Sequence, residues 1–433
     1  MNNIHGKAGP GTPDLSFGEN GKVMWPNKED GTNHPVSVLA LPDNKVLFCE
    51  ELIGNPVRLW RLNEDGTTDK KFGVDGVVEV HIPVVGGQDF RGGAKLSPCP
   101  SGGYLYTVSI PSSGVFLIRM DTSGQLVQSF GDRGTLKIYD SELVGEEAGG
   151  SAPGSKHDNG AQPDAQSEGA AKGMVLIQPD GKIVLVHRNF TFDFGVLIRL
   201  NPDGSFDCSL NGSGYIQLNI EREGVKYDRF FPNAVVRQSD GKLLVCGSAE
   251  NYSGSDSFIA RYESNGQLDK GFSGGAVFPY TRPDSGHYNR LYDICVRESD
   301  GAIISVGNVH LGGGRYQGIM IVLNYNGSFN LVFNNGKLLV VDMLPSMTPR
   351  RCSLQGDAIT VSGFGRPDTP SFIVRYLFSG LLDKKFNEQG WVEIDFNRYT
   401  VLNDMTIMKD SRVVISAASH FGDDPGWMAR YLA

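Results

Sequence analysis

The sequence lacks any cysteine pair at metal-site or disulfide spacing. Its six cysteines (Cys49, Cys99, Cys208, Cys246, Cys295 and Cys352) lie far apart, with no CxxC, which argues against structural zinc and against a disulfide framework. Long apolar runs are absent too. No stretch approaches the roughly 18 residues of a membrane span, and Met1–Pro10 has no apolar segment of the kind a cleavable export signal carries. The expected location is cytoplasmic, or reached by an export route without a cleavable signal peptide. Cationic excess is missing: 40 Lys+Arg stand against 49 Asp+Glu, a formal net charge of −9. Such a chain has no general attraction for phosphate backbones or anionic lipid, so nucleic acid and membrane insertion are set aside as partners. No Gly-x-Ser-x-Gly elbow, HExxH, P-loop or Asp-x-Asp-x-Asp-Gly loop occurs. There is no amphipathic helical stretch of useful length.

What the sequence has in excess is glycine, 56 of 433 residues, about twice the usual share, and repetition. One phrase recurs: an apolar strand, a Gly turn, then Leu-Asp-x-x-Phe-Gly. Its anchor falls at Phe17, Phe72, Phe130, Leu210, Phe272, Phe333 and Phe386. After each anchor come a short strand and a variable loop. A hairpin follows around Pro-Asp-Gly-Lys or a relative, as in Pro179–Lys182 and Ser239–Lys242. A second variable loop leads to a strand ending Arg-Tyr or Arg-Leu. Asp-Gly suits a tight hairpin because glycine accepts positive φ without a steric penalty. Four short strands in each of seven similar units predict an all-β fold, a seven-bladed β-propeller with four antiparallel strands per blade. The predicted domains are a flexible segment over 1–12 and one propeller over 13–433, with a mobile Gly/Ser/Ala-rich insertion at about 141–172.

The units resemble the delta-60 repeat family. The match is closest at Gln178-Pro179-Asp180-Gly181-Lys182-Ile183-Val184-Leu185 and at Arg199-Leu200-Asn201-Pro202-Asp203-Gly204. Unit 6 departs most, with Leu354-Gln355-Gly356-Asp357 in place of the hairpin turn. The resemblance implies a propeller-like repeat fold and carries no activity with it.

The chain opens on an Asp-x-x-Phe-Gly turn and ends on an Arg-Tyr strand. The simplest closure has the N-terminal strand, about 21–25, complete the last blade. A recurring Arg is followed eight residues later by Asp (Arg61–Asp69, Arg199–Asp207, Arg261–Asp269, Arg375–Asp383). Arg430 has no such downstream partner, so it is expected to pair with Asp14 across the closure, a structural role.

Alternate connections of an antiparallel blade lie on opposite ends. The short Asp-Gly and Asn-x-x-Gly turns therefore share one face and the variable loops share the other, where binding usually resides. That face collects Arg91, Tyr227, Tyr280, His287, Tyr288, Arg290 and Tyr316, a composition suited to sugar stacking or protein contact. Seven residues before each hairpin Asp, or its equivalent, lie Val36, Ala94, Gly173, Asn233, Asp293, Thr348 and Asn403. Asn233, Asp293, Thr348 and Asn403 are expected along one side of the channel mouth. Calcium is the cation such oxygens would hold, but with a single formal anion ordered water is the expected occupant, and neither a metal nor another cofactor is called for. The first reading is a monomeric, non-catalytic binding or scaffold propeller engaging a protein or glycan partner through the variable face. A glycan-directed hydrolase or lyase at the channel mouth, and a structural module of a larger toxin or surface assembly, remain open beside it.

Overall fold

The computed structural model describes residues 9–25, 34–51, 56–82, 93–110, 113–144, 173–189, 194–280, 287–311, 316–365, 370–395, 400–419 and 426–433. Most of the 141–172 insertion and residues 1–8 lie outside them. Nearly all regular structure is strand. One blade holds β2 (His34–Ala40), β3 (Val46–Glu51), β4 (Val57–Leu62) and β5 (Val77–Val80). The next holds β6 (Ala94–Pro98), β7 (Tyr104–Ile110), β8 (Gly114–Met120) and β9 (Thr135–Ile138). A third holds β10 (Val175–Ile177), β11 (Ile183–Asn189), β12 (Phe194–Leu200) and β13 (Tyr215–Gln217). Then come β14 (Arg229–Arg237), β15 (Leu243–Asn251), β16 (Gly254–Tyr262) and β17 (Ala276–Val277), followed by β18 (His287–Val296), β19 (Ile303–His310), β20 (Tyr316–Leu323) and β21 (Leu339–Val341). A blade of β22 (Thr348–Gln355), β23 (Ala358–Phe364), β24 (Ser371–Leu377) and β25 (Trp391–Ile394) precedes the last, β26 (Thr400–Ile407), β27 (Val413–Ser419) and β28 (Gly426–Tyr431), which β1 (Lys22–Trp25) completes.

The count corrects the expectation of seven separate blades. Five blades of four antiparallel strands form, and β14 to β21 make one continuous eight-stranded sheet instead of two more. The cause is a parallel contact of β16 with β18, Gly254 opposite His287 and Ser255 opposite Tyr288. The Asn289 amide also donates to Ser255 Oγ at 3.1 Å. β16 has nine residues, against six to eight in the other third strands, and β18 has ten, against three to nine in the other first strands. They reach far enough to meet where shorter strands diverge. The first strand of each group lies innermost, and β2, β6, β10, β14, β18, β22 and β26 pack in turn until β26 meets β2.

The recurring phrase is a joint between neighbours. Each anchor side chain is buried (Phe17, Phe72, Leu210, Phe272 and Phe386 are fully enclosed). The residue after it donates its amide to a carbonyl in the next unit's turn: Gly18 to Asp65, Gly73 to Ser123, Gly131 to Asp203, Asn211 to Asn265 and Asn334 to Ser379, at 2.8–3.0 Å. The strand Arg lies over the anchor ring at 4.6–4.8 Å (Arg61 on Phe72, Arg261 on Phe272, Arg375 on Phe386, Arg430 on Phe17). Its Nε donates to the recurring Asp (Arg61 to Asp69, 2.7 Å; Arg199 to Asp207, 2.5 Å; Arg261 to Asp269, 2.7 Å; Arg375 to Asp383, 2.8 Å). In three of these Nη1 continues to the next unit, reaching the carbonyls of Thr122, Ser264 and Tyr325. The phrase therefore supplies a cation, its counter-ion, an aromatic seat and a turn glycine to one seam. At Gly66 φ is +87°, and a Cβ would sit 2.8 Å from the Gly18 nitrogen of the neighbouring turn. Only glycine fits there without displacement.

Closure uses the same parts. β1 pairs antiparallel with β28, Lys22 opposite Ala429 through Trp25 opposite Gly426. Arg430 Nε donates to Asp14 Oδ2 at 2.7 Å and Nη1 to the Glu64 carbonyl at 2.6 Å. Residues 9–12, assigned from sequence to the flexible segment, carry backbone bonds: Gly11 N to Leu432 O (2.8 Å), Leu432 N to Thr12 O (2.9 Å) and Asn387 N to Pro10 O (2.7 Å). Where the Arg–Asp pair is missing from the sequence, the partners change together. Arg119 turns to the carbonyls of Tyr104, Met120 and Gly102, and Asn330 Nδ2 donates to Asn324 Oδ1 at 2.9 Å.

Candidate functional site

Five of the innermost strands share a defect that fixes the axis. In β2, β14, β18, β22 and β26 the register slips by one residue, leaving Val36, Asn233, Tyr292, Arg350 and Asn403 as bulge residues. A bulge re-aims the side chains around it. Asn233 Nδ2 donates to the Leu291 carbonyl at 2.6 Å, and Asn403 Nδ2 to the Pro35 carbonyl at 3.1 Å. Each ties its strand to the next one around the ring.

One residue further on, the matching positions are Ser37, Lys95, Met174, Ala234, Asp293, Arg351 and Asp404, paired with the second strand opposite Cys49, Thr107, Val186, Cys246, Val306, Ser362 and Ser416. Here the charge collects. Asp404, fully buried, accepts from Arg351 Nε (2.9 Å), Ser37 Oγ (2.7 Å) and the Val38 amide (3.1 Å), with Lys95 Nζ at 3.5 Å. Asp293 accepts from the Cys352 and Ile294 amides, both at 3.0 Å, with Arg351 Nη1 at 3.8 Å. Burial pushes the Asp293 carboxyl above its ordinary range against the pull of Arg351. Two carboxylates, one guanidinium and one ammonium balance. A Cβ on Gly173 would lie 2.6 Å from Asp293 Oδ1 and 2.5 Å from Ala234 Cβ, so side chains fill this side of the axis.

The four predicted channel residues are therefore not a ligand ring. Asn233 and Asn403 are bulge residues, Asp293 lies one residue past a bulge, and Thr348 lies two before one, its hydroxyl accepting from Asn308 Nδ2 at 3.3 Å. Counting back from the hairpin fails in two units. The turn between Val296 and Ile303 holds one residue more than that between Arg237 and Leu243, and the turn between Gln355 and Ala358 is shorter. Sequence reasoning missed Arg351, which becomes visible only when positions are counted from the bulge, and Lys95, which its pairing with Thr107 places at the same level. Among the described residues no group of three His, Cys, Asp or Glu converges as metal ligands do.

The variable face sorts its candidates. Tyr227 is buried, stacks on Phe278 at 5.5 Å between ring centres, and donates to Asp256 Oδ2 at 2.6 Å. Burial and Asp256 raise its phenol well above the ordinary value. Tyr280 packs against the apolar core under β18 to β20. Arg290 Nη2 donates to Glu250 Oε1 at 3.3 Å. Arg91 and the His287 side chain lie outside the described residues. Tyr288 and Tyr316 do come together, with His310 between them. The His310 ring centre lies 6.1 Å from that of Tyr288 and 4.9 Å from that of Tyr316, and all three are half-buried. His310 pairs with Tyr316 in the ladder, and Tyr288 falls beside them because Asn289 pairs with Val309.

A second polar group bridges two blades. Ser109 Oγ lies 2.9 Å from His187 Nδ1, and His187 Nε2 lies 2.8 Å from Asp140 Oδ1. The histidine and aspartate are buried, and Ser109 is only 7 % exposed. Asn189 Nδ2 adds a bond to the Asp140 carbonyl at 2.8 Å. With its serine enclosed in the seam, this array has the form of a latch between β7 and β11.

Inner strands ringing an axis, outer strands at the rim and turn-to-turn joints define a β-propeller. A family model described as "Domain of unknown function (DUF5122) beta-propeller" matches residues 178–209 and 238–272, so the repeats are of β-propeller type. No curated protein matches the chain. Among solved structures, the polysaccharide lyase Uly1 superposes with a TM-score of 0.53 at 11 % identity, over 100 % of this chain and 94 % of that one. The WD40 β-propeller domain of Doa1 gives 0.43 at 11 % identity over 95 % and 97 % of the two chains. The NanB sialidase from Streptococcus pneumoniae gives 0.41 at 10 % over 94 % and 70 %. At such identities the first likeness concerns the fold alone. No helix among the described residues is long and apolar enough to cross a membrane.

Proposed function

We propose that the chain is a non-catalytic, monomeric binding propeller built of delta-60-type repeats, engaging a protein or glycan partner through its variable-loop face. The observation that carries this reading is the row of Tyr288, His310 and Tyr316 across three adjacent strands of that face. Aromatic faces suit the C–H surface of a sugar ring or an apolar side chain of a partner. The balanced charges at the axis support the same reading, since Asp293 and Asp404 spend their oxygens on Arg351, Ser37 and backbone amides. A glycan array read with the wild type, followed by titration of the best-bound oligosaccharide, tests it. Tyr288→Ala and Tyr316→Ala are expected to weaken that binding tenfold or more. An unchanged array pattern for both variants removes the row from the site.

A glycan-directed lyase or hydrolase is the second reading. It is favoured by His310 standing between two phenols, side chains able to take and return a proton. It predicts new unsaturated or reducing ends from an acidic polysaccharide, lost in His310→Ala. Binding without product returns the first reading.

A further inference from the structure

The short-turn face carries an apolar surface that the fold does not require. The two residues before each anchor sit at a turn tip, and they are Lys70-Lys71, Gln128-Ser129, Cys208-Ser209, Lys270-Gly271 and Lys384-Lys385 in five units, while Leu15 and Ser16 before Phe17 supply a single exposed leucine. In the turn before Phe333 they are Leu331 and Val332, exposed by 77 % and 70 %. The adjoining turn adds Leu381, 68 % exposed where Thr67, Ser205 and Gln267 stand elsewhere, and Leu377, 43 % exposed in the place of Asn63 and Asn201. The two turns lie side by side, since Asn334 N donates to Ser379 O at 3.0 Å and a Cβ on Gly380 would be 3.3 Å from Asn334 Cβ. The anchors Phe333 and Phe386 are buried alike, so neither tip needs leucine for folding. Leu331, Val332, Leu377 and Leu381 thus gather four exposed apolar side chains on two adjoining turns, where the Phe17 tip has one, and such a patch marks a contact surface.

Charge indicates what covers it. Around the ring the Leu331–Val332 tip stands between Lys270 on one side and Lys384 and Lys385 on the other. All three lysines are exposed, and none forms an ion pair among the described residues. A second copy meeting this patch about a two-fold axis would set lysines against lysines, which opposes self-association. We propose that this surface docks a protein segment bearing apolar side chains flanked by carboxylates. The proposal stands on the turns alone and does not depend on the aromatic row.

The test is a random-peptide display library selected on the full chain and counter-selected on Leu331→Lys/Val332→Lys, which installs the residues that the Lys384–Lys385 tip shows the fold accepts. Sequences retained by the wild type and lost on the variant should pair leucine, isoleucine or phenylalanine with Asp or Glu. One of them, resynthesised, should bind at least tenfold more weakly to that variant and to Lys384→Glu/Lys385→Glu, and more weakly at high salt. Sedimentation of the wild type runs beside it. The proposal is overturned if no selected sequence depends on Leu331 and Val332, if the dependent sequences are basic or uncharged, or if the chain self-associates and the double lysine variant abolishes that.

Discussion

Replacing Asp14 by Asn should open the molecule at one seam. Burial alone would raise the Asp14 carboxyl, but hydrogen bonds from Ser16 and Arg412, with Arg430, hold it down to about 2, from an ordinary 3.8. That depression corresponds to about 2 kcal/mol of stability above pH 4. The substitution also leaves the Arg430 guanidinium, fully enclosed, without its carboxylate, and breaking a buried pair typically costs about 3–5 kcal/mol. With the Glu64 carbonyl and Ser16 Oγ still accepting from Arg430, a loss of about 2–4 kcal/mol is expected. The informative control is Asp383→Asn, which removes the same kind of pair within a single unit, eight residues apart instead of 416. Denaturant unfolding gives the total for each variant. Hydrogen exchange of the Val23 and Trp25 amides then shows where the loss is felt. Asp14→Asn should speed exchange in β1 while Asp383→Asn leaves it protected. Equal losses with β1 equally protected in both would show that Asp14 and Arg430 are one turn pair among several and that they do not hold the ring shut.

Three further outcomes follow from the same geometry. Asp14 and Asp69 are both held at about 2; since their folded values lie below the unfolded ones, their contribution is intact above pH 4 and fades as pH falls toward 2, so melting temperatures should drop steeply across that window, and a flat profile from pH 5 to 2 contradicts it. Asp404→Ala strands Arg351, which is 5 % exposed, and should cost about 3–5 kcal/mol in urea unfolding; a loss under about 1 kcal/mol, as for an exposed pair, would mean the axis is wetter than its packing implies. Gly66→Ala should cost more than Gly102→Ala, because both have φ near +90° but only Gly66 has a neighbour within 4 Å of the added carbon; both pay the left-handed penalty of about 1–2 kcal/mol, and equal melting temperatures would remove the contact from the explanation.

Much of the joint between units was legible in the sequence because it is local. Arg61 and Asp69 are eight residues apart, the anchor lies three beyond, and the period repeats them, so Asp14 could be matched to Arg430 from position alone. The separation of the blades was not legible. It depends on two strands, β16 and β18, being long enough to touch at Gly254 and Ser255, and a strand's length says nothing of what its far end meets. The axial residues were missed by one or two places for a related reason. The sequence displays hairpin turns, but the bulge sets which side chain points inward, and turn length varies by unit while the bulge keeps its place in the five strands that carry one. Asp293 was named for the wrong position, and Arg351 beside it was passed over. On the variable face, residue type suggested Tyr227 and Tyr280 as readily as Tyr288 and Tyr316; packing under Phe278 and against the β18–β20 core distinguishes them.

The pairing of β1 with β28 has a consequence for biogenesis. During synthesis β1 is made before every other strand of the propeller, and β28, which hydrogen-bonds to it, after all of them. Every other blade finds its partners within one unit's length of chain, so most of the disc can assemble in step with translation. Throughout that time β1 and the growing front present open strand edges, the feature most prone to join another molecule. Slowing the ribosome late in the message, or truncating just before Gly426, should therefore yield aggregates or intermolecular strand exchange more readily than a pause of equal length midway.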